Sequence, residues 1–235
     1  MMVIGLIPAA GRGERLRPLT DKIPKPLIRV CGKPLILHAI EHLNAIGVDE
    51  IVVALHYKKE KIIEFLKSQI DVSIKYCYPD KLLGLAYTIY SAKDLINETF
   101  IVHLADNIFM DNCKYVLDEH IKKRADTTLL VERGDPEGRY EAIRLERGRI
   151  LDIVEKAEFS YGYRGTGIYI FEPILFKYCK NVKKSDRGEL ELQDAIKNMI
   201  DDGRRVFGVL LKGRRVEITT EKDIRRAEEM MGCEK

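Results

Sequence analysis

The residues "PAAGRGERLRPLTDKIPK" (8–25) set Gly11 and Gly13 among five cations, Arg12, Arg15, Arg17, Lys22 and Lys25. Backbone N–H groups in a glycine-rich turn can converge on an anion, and glycine permits close approach and positive φ. Cations just behind such a turn suit a phosphate-bearing polyanion. Neither G-x-x-x-x-G-K-[ST] nor G-x-G-x-x-G is present; Leu16 holds the third glycine place of the latter. By themselves these residues also describe a tight turn with solvated arginines. Asp106 closes the apolar run "FIVHLAD". A carboxylate at a strand's C-terminal end can hold Mg²⁺ against phosphates, or cap a turn.

For these groups to meet, one sheet must present both at the same end. Val3–Ile7 reads as a buried strand. Pro34–Ile46 predicts a helix, with Leu35, Ile36, Ala39, Ile40 and Leu43 on one side and Gly47 as its stop. Strands are expected over 50–55, 72–76, 100–104 and 127–131, and helices over 58–68, 85–95 and 111–124. This alternation predicts a Rossmann-like α/β sheet, mixed but mostly parallel, with helices on both faces. Beyond it, 140–146 and 149–155 flank "RG" as a hairpin. A strand over 165–171, a helix over 189–202, strands over 205–211 and 214–218 and a closing helix over 220–231 follow. Thr220 is the expected N-cap of the last. With no linker or repeat, a single domain over 1–235 is expected.

Hydrophobic residues make up 46% of the 235, enough for a packed core. Forty basic residues against 37 acidic ones give a net charge of +3, which argues against a nucleic-acid grip as the main task. The five cysteines, Cys31, Cys77, Cys113, Cys179 and Cys233, are odd in number and lack C-x-x-C spacing. They predict neither a disulfide framework nor a zinc site, and fit a reducing cytoplasm. No apolar run approaches the ~20 residues of a membrane span, and no signal peptide is evident, so no membrane partner is expected.

Several stretches, in order, carry a resemblance. "AAGRGERLRPLTDKIPKPLIRVCGKPLI" resembles the opening of the sugar-1-phosphate nucleotidylyltransferases. "LLGLAYTIYSAKDLI" and "HLADNIF" are similar to the family's base-side and "GDN" segments. "RYEAIRLERGRILDIVEKA", "GTGIYIF" and "RGELELQDAI" are similar to its sugar-side segments. The resemblance implies transfer of a nucleotidyl group from a nucleoside triphosphate, dTTP or UTP, to a sugar 1-phosphate, with glucose 1-phosphate favoured. A glucose-1-phosphate thymidylyltransferase is the favoured single assignment. Residues 1–132 would form the nucleotide-binding part and 133–235 the sugar-binding part. At this length no appended left-handed β-helix domain is expected.

The resemblance also implies roles. Ala10, Gly11 and Gly13 would wrap the triphosphate, Arg15 would hold phosphate oxygens, and Lys25 would neutralise the α-phosphate. Gly84 would let backbone approach the base, and Tyr78 is the nearest counterpart of a base-reading Gln. Asp106 would hold Mg²⁺, with Glu217 in the place of a second metal carboxylate, usually Asp; no Trp precedes it in "RRVEITTEKDI". Asn107, Glu155, Lys156, Thr166 and Gly167 would form the sugar-phosphate side, where Glu141 stands at a place relatives often fill with Gly. Glu189 and Glu191 could equally cap a helix. His38, His42 and His56 show no ligand spacing and read as surface or core histidines. The alternative is a silent nucleotidyltransferase-like regulatory subunit. A homo-oligomer stays open.

Overall fold

The structure, a computed structural model, describes residues 2–69, 74–135 and 140–233. Strand β1 (Ile4–Ala9) leads through the glycine turn into the short helix α1 (Leu19–Lys22), then a two-residue ribbon, β2 (Arg29–Val30) and β3 (Lys33–Pro34). Then come α2 (Leu35–Ile46), β4 (Glu50–Leu55), α3 (Lys59–Gln69), β5 (Ile74–Cys77), α4 (Leu85–Tyr90), β6 (Phe100–His103), β7 (Asn107–Phe109), α5 (Lys114–Lys123) and β8 (Thr127–Arg133). The remainder is β9 (Ala142–Glu146), β10 (Arg149–Val154), β11 (Tyr163–Phe171), α6 (Leu175–Asn181), α7 (Leu192–Asp201), β12 (Val206–Leu210), β13 (Arg215–Glu217) and α8 (Glu221–Met231). Gly47 closes α2 in the left-handed region, and Thr220 caps α8 through a reciprocal box with Asp223. Val72 and Ser73, the expected start of β5, lie outside the described residues.

Nine strands form one sheet in the order β5-β4-β1-β6-β11-β8-β12-β10-β9. The sheet is mixed, as expected, but not mostly parallel: antiparallel ladders are as many as parallel ones along this order. β1, β4, β5 and β6 run parallel, but β11 inserts antiparallel between β6 and β8. The alternating pattern of the first half therefore hides a gap that a later strand fills. The short strand β7, directly after Asp106, pairs antiparallel with β13 and places Glu217 opposite Asn107.

Side chains alternate across the sheet, as the two-residue strand period requires. Ile4, Leu6, Val52 and Ala54 pack with α4, α6 and α7; Val3, Ile7, Ile51 and Val53 pack with α2, α3 and α5. Helices thus cover both faces, as expected. A third, smaller core joins Leu16 of the glycine turn, Val30, Ile108, Val216, Ile218 and Ala227 of α8. It ties the turn to the strand that carries Glu217.

The cysteine expectation is corrected too. Cys31, in the turn between β2 and β3, is disulfide-bonded to Cys233 just past α8. Their sequence separation of 202 defeats any spacing rule; the pairing exists because α8 folds back over β2. Cys77, Cys113 and Cys179 are buried and free. No described helix is long and apolar enough to cross a membrane.

Candidate active site

The glycine turn is held by close packing. Gly13 has φ +67°, and a Cβ there would lie 2.9 Å from Cβ of Lys25. The Thr20 hydroxyl donates to the Gly13 carbonyl at 3.0 Å. A Cβ on Gly11 would meet nothing within 4 Å, so only a ligand could require glycine there. The turn walls a cavity of about 610 Å³ that takes in Ala10, Gly11, Gly13, Lys25, Gly84 and Asp106. Gly84 is demanded by backbone: at φ +112° its Cβ would strike the Leu190 carbonyl at 2.6 Å. Arg15 and Tyr78 are exposed and outside this wall, with Lys59 over the Tyr78 ring at 4.8 Å.

Asp106 lies where this cavity meets a smaller one of about 200 Å³ and lines both. Lys25 Nζ donates to Asp106 Oδ2 at 2.6 Å, and the Asn107 amide to Oδ1 at 3.0 Å. Burial raises the Asp106 carboxyl, but the Lys25 charge and hydrogen bond, helped by Arg215, outweigh it and hold it below the usual range. Glu217 moves the other way. Burial and then the Asp106 charge push it up, against Arg215, Tyr140 and Lys25. Two partly buried carboxylates that repel each other, one already holding an ammonium, make a place for a cation. Among the described residues no group of three or more His, Cys, Asp or Glu side chains could hold a metal.

The smaller cavity brings together Asn107, Glu155, Thr166, Gly167 and Glu217. A bulge in β11 between Gly165 and Tyr169 turns this strand toward it. The Thr166 hydroxyl donates to the Leu130 carbonyl at 2.8 Å, and a Cβ on Gly167 would strike the Asn107 amide at 2.6 Å. Glu155 is pushed up to about 8 by burial and by the charges of Glu141 and Glu191. Lys156, half-buried with φ +46°, adjoins Glu155 but is not part of either wall. Glu191 precedes α7 without capping it; it takes hydrogen bonds from Arg187 at 2.7 Å and Ser185 at 2.9 Å. Glu189 lines both cavities.

Sequence reasoning missed Arg215. Its side chain is only 5% exposed and donates to Asn107 Oδ1 at 2.5 Å, Glu132 Oε1 at 2.9 Å and the Gly165 carbonyl at 3.2 Å. The signal was present: Arg215 lies two residues before Glu217, and residues two apart on a strand share a face. Gln193 and the neighbouring Tyr140, also on the smaller wall, carried no such signal. His42, expected on the surface or in the core, is half-buried at the edge of the core. It bonds His103 at 3.0 Å and stacks on Phe109, and burial drives His103 down to about 3.

Comparison with known proteins agrees with this geometry. Residues 4–224 match the nucleotidyl transferase family. A UTP–glucose-1-phosphate uridylyltransferase, AglF of Haloferax volcanii, is 36% identical over 228 residues, 95% of this chain and 94% of that protein. The bifunctional protein GlmU of Methanocaldococcus jannaschii is 35% identical over 88% of this chain, which spans about half of that protein (49%). The crystal structure of a UDP-glucose pyrophosphorylase complexed with UDP-glucose superposes with a TM-score of 0.90 at 26% identity, covering 99% of each chain. A protein from Bacillus anthracis assigned as a glucose-1-phosphate thymidylyltransferase gives 0.86 at 28%, covering 97% of this chain and 94% of that one. The chain belongs to the nucleotidyl transferase family.

Proposed function

We propose that this family member transfers a nucleotidyl group from UTP or dTTP to a hexose 1-phosphate and releases pyrophosphate. One observation carries the reading: Asp106 belongs to the walls of both cavities. A triphosphate in the larger and a sugar phosphate in the smaller would bring their reacting phosphates together there. A sugar phosphate oxygen attacks the α-phosphorus, the bond to the β-phosphate bridge breaks, and pyrophosphate leaves. The attacking phosphate has a second pKa of ~6 and is already largely dianionic at neutral pH, so no general base is needed. No histidine lines either cavity among the described residues.

The work left to the protein is alignment and charge neutralisation. The Gly11–Gly13 backbone holds the triphosphate. Lys25 exchanges Asp106 for phosphate oxygens when the nucleotide enters. Asn107, oriented by Arg215, and Lys156 hold the sugar phosphate, while Arg15 meets the triphosphate at the open mouth. Gly84 lets the base approach the backbone, and Tyr78 stands at its edge. Glu155 and the Thr166–Gly167 bulge shape the sugar compartment. Asp106 and Glu217 are the residues that would hold Mg²⁺, their mutual repulsion and the Lys25 ammonium being evidence that a cation fits. Bound there, the ion would supply neutralisation of the reacting phosphates. Residues 1–132 supply most of the nucleotide side and 133–235 most of the sugar side. A cytoplasmic location fits a need for nucleoside triphosphates.

The test is a pyrophosphate-release panel of sugar 1-phosphates against UTP, dTTP, CTP, GTP and ATP with Mg²⁺. Release is expected with UTP or dTTP. Silence with every pair would instead favour a regulatory subunit.

A further inference from the structure

The smaller cavity is the sugar compartment of the reading above, on which this inference rests. Its described walls carry six carboxylates, Asp106, Glu141, Glu155, Glu189, Glu191 and Glu217, against one guanidinium, Arg215. Lys25 and Arg215 answer the Asp106–Glu217 end. At the other end, Arg187 binds Glu191 and lies 3.6 Å from Glu155. Glu141 and Glu191 both repel Glu155.

Glu141 is firmly seated. It is 6% exposed, the Tyr169 hydroxyl donates to its Oε1 at 2.9 Å, and that oxygen would lie 1.9 Å from a Cβ on Gly165. Gly165 is thus glycine because the carboxylate fills the space. Gln193 supplies an independent observation. It is 5% exposed and lines the same cavity, with no side-chain hydrogen bond to a described residue. The amide is not sealed away from the cavity, so a polar ligand there could use its donors and its acceptor.

A neutral hexose 1-phosphate would bring a dianion into this acidic compartment and offer its carboxylates only hydroxyls. An ammonium on the sugar would give charge-assisted hydrogen bonds and relieve the repulsion. We infer that the acceptor is an aminohexose 1-phosphate with a free ammonium, selected by the charges of Glu141 and Glu191, with the Glu155 carboxyl and the Gln193 amide bonding adjacent hydroxyls.

The test measures pyrophosphate release at pH 7 with UTP, dTTP and Mg²⁺. The acceptors are glucose 1-phosphate, its 2-, 3- and 4-amino analogues, and their N-acetyl forms. At least one free amine is expected to exceed glucose 1-phosphate tenfold or more in kcat/KM, and N-acetylation to erase the gain. Glu141→Gln, which keeps the shape and removes the charge, should cut that preference at least tenfold, chiefly through KM for the sugar. Thermal protection of the unaltered protein by the same sugar phosphates should give the same ranking without any variant. Glucose 1-phosphate used as well as every amine would overturn the inference and leave the transferase reading standing. No release from any pair would overturn the transferase reading, and this inference with it.

Discussion

The larger cavity draws seven consecutive residues, Pro8 to Glu14, from one turn, with Lys25 and Pro26 close behind. The smaller cavity gathers its walls from scattered places: Tyr140 and Glu141, Glu155, the bulge of β11, the approach to α7, and both ends of β13. The first is shaped largely by backbone conformation, through Gly13 and Gly84. The second is shaped by side chains that hold one another, Arg215 on Asn107 and Glu132, Tyr169 on Glu141. A backbone cradle suits phosphates, which every donor nucleotide shares. A cage of side chains suits a sugar, where one functional group must be told from another.

The strongest test of this contrast strikes Asp106, which lines both cavities. Asp106→Ala should lower kcat at least a thousandfold with either substrate saturating, while circular dichroism shows the fold retained. Turnover near that of the unaltered protein would remove the shared centre. Next comes Gly13→Ala, which meets both a left-handed backbone and the Lys25 side chain. It should cut kcat/KM for the nucleotide about a hundredfold, and Gly11→Ala by less, since nothing in the protein crowds that site. Equal losses would mean that the ligand, not the packing, fixes the turn.

Lys156→Ala should raise KM for the sugar phosphate about tenfold and that for the nucleotide much less. The reverse pattern would exchange the two compartments. The smallest effect concerns stability. Glu155 titrates near 8 in the fold against an ordinary 4.5. Between these values the folded state keeps a proton that the unfolded chain has lost, so raising the pH across this window lowers stability. Thermal unfolding from pH 5 to 8.5 should show the unaltered protein losing Tm relative to Glu155→Gln. Parallel curves would deny Glu155 its burial among like charges.

The turn was legible because its chemistry is local: glycines, cations and the strand before them are neighbours in the chain. α2 and β4 were legible for the same reason, since a helix stop and an apolar run declare themselves within a dozen residues. Asp106 and Glu217 could be named from resemblance, but only β7 against β13 brings them together, and three residues of strand leave almost no periodic signal. The place of Tyr78 was less legible. Its ring sits outside the larger cavity, whose wall carries Gly84, Leu82 and Leu85 instead. Gly165 shows the limit most clearly. Nothing near it in sequence explains the missing side chain; the reason is a carboxylate 24 residues earlier, at Glu141. The antiparallel entry of β11 and the Cys31–Cys233 bond are likewise products of topology, which periodicity does not report.

That entry of β11 has a bearing on how the chain comes to be folded at all. β8 has two neighbours in the sheet, β11 and β12, and both are synthesised after it. A fragment ending near residue 132 would leave β8 with no ladder to join and the far side of β6 bare. The chain therefore has no folding seam near residue 132. On the ribosome, the central strands can close only after about residue 210 has emerged.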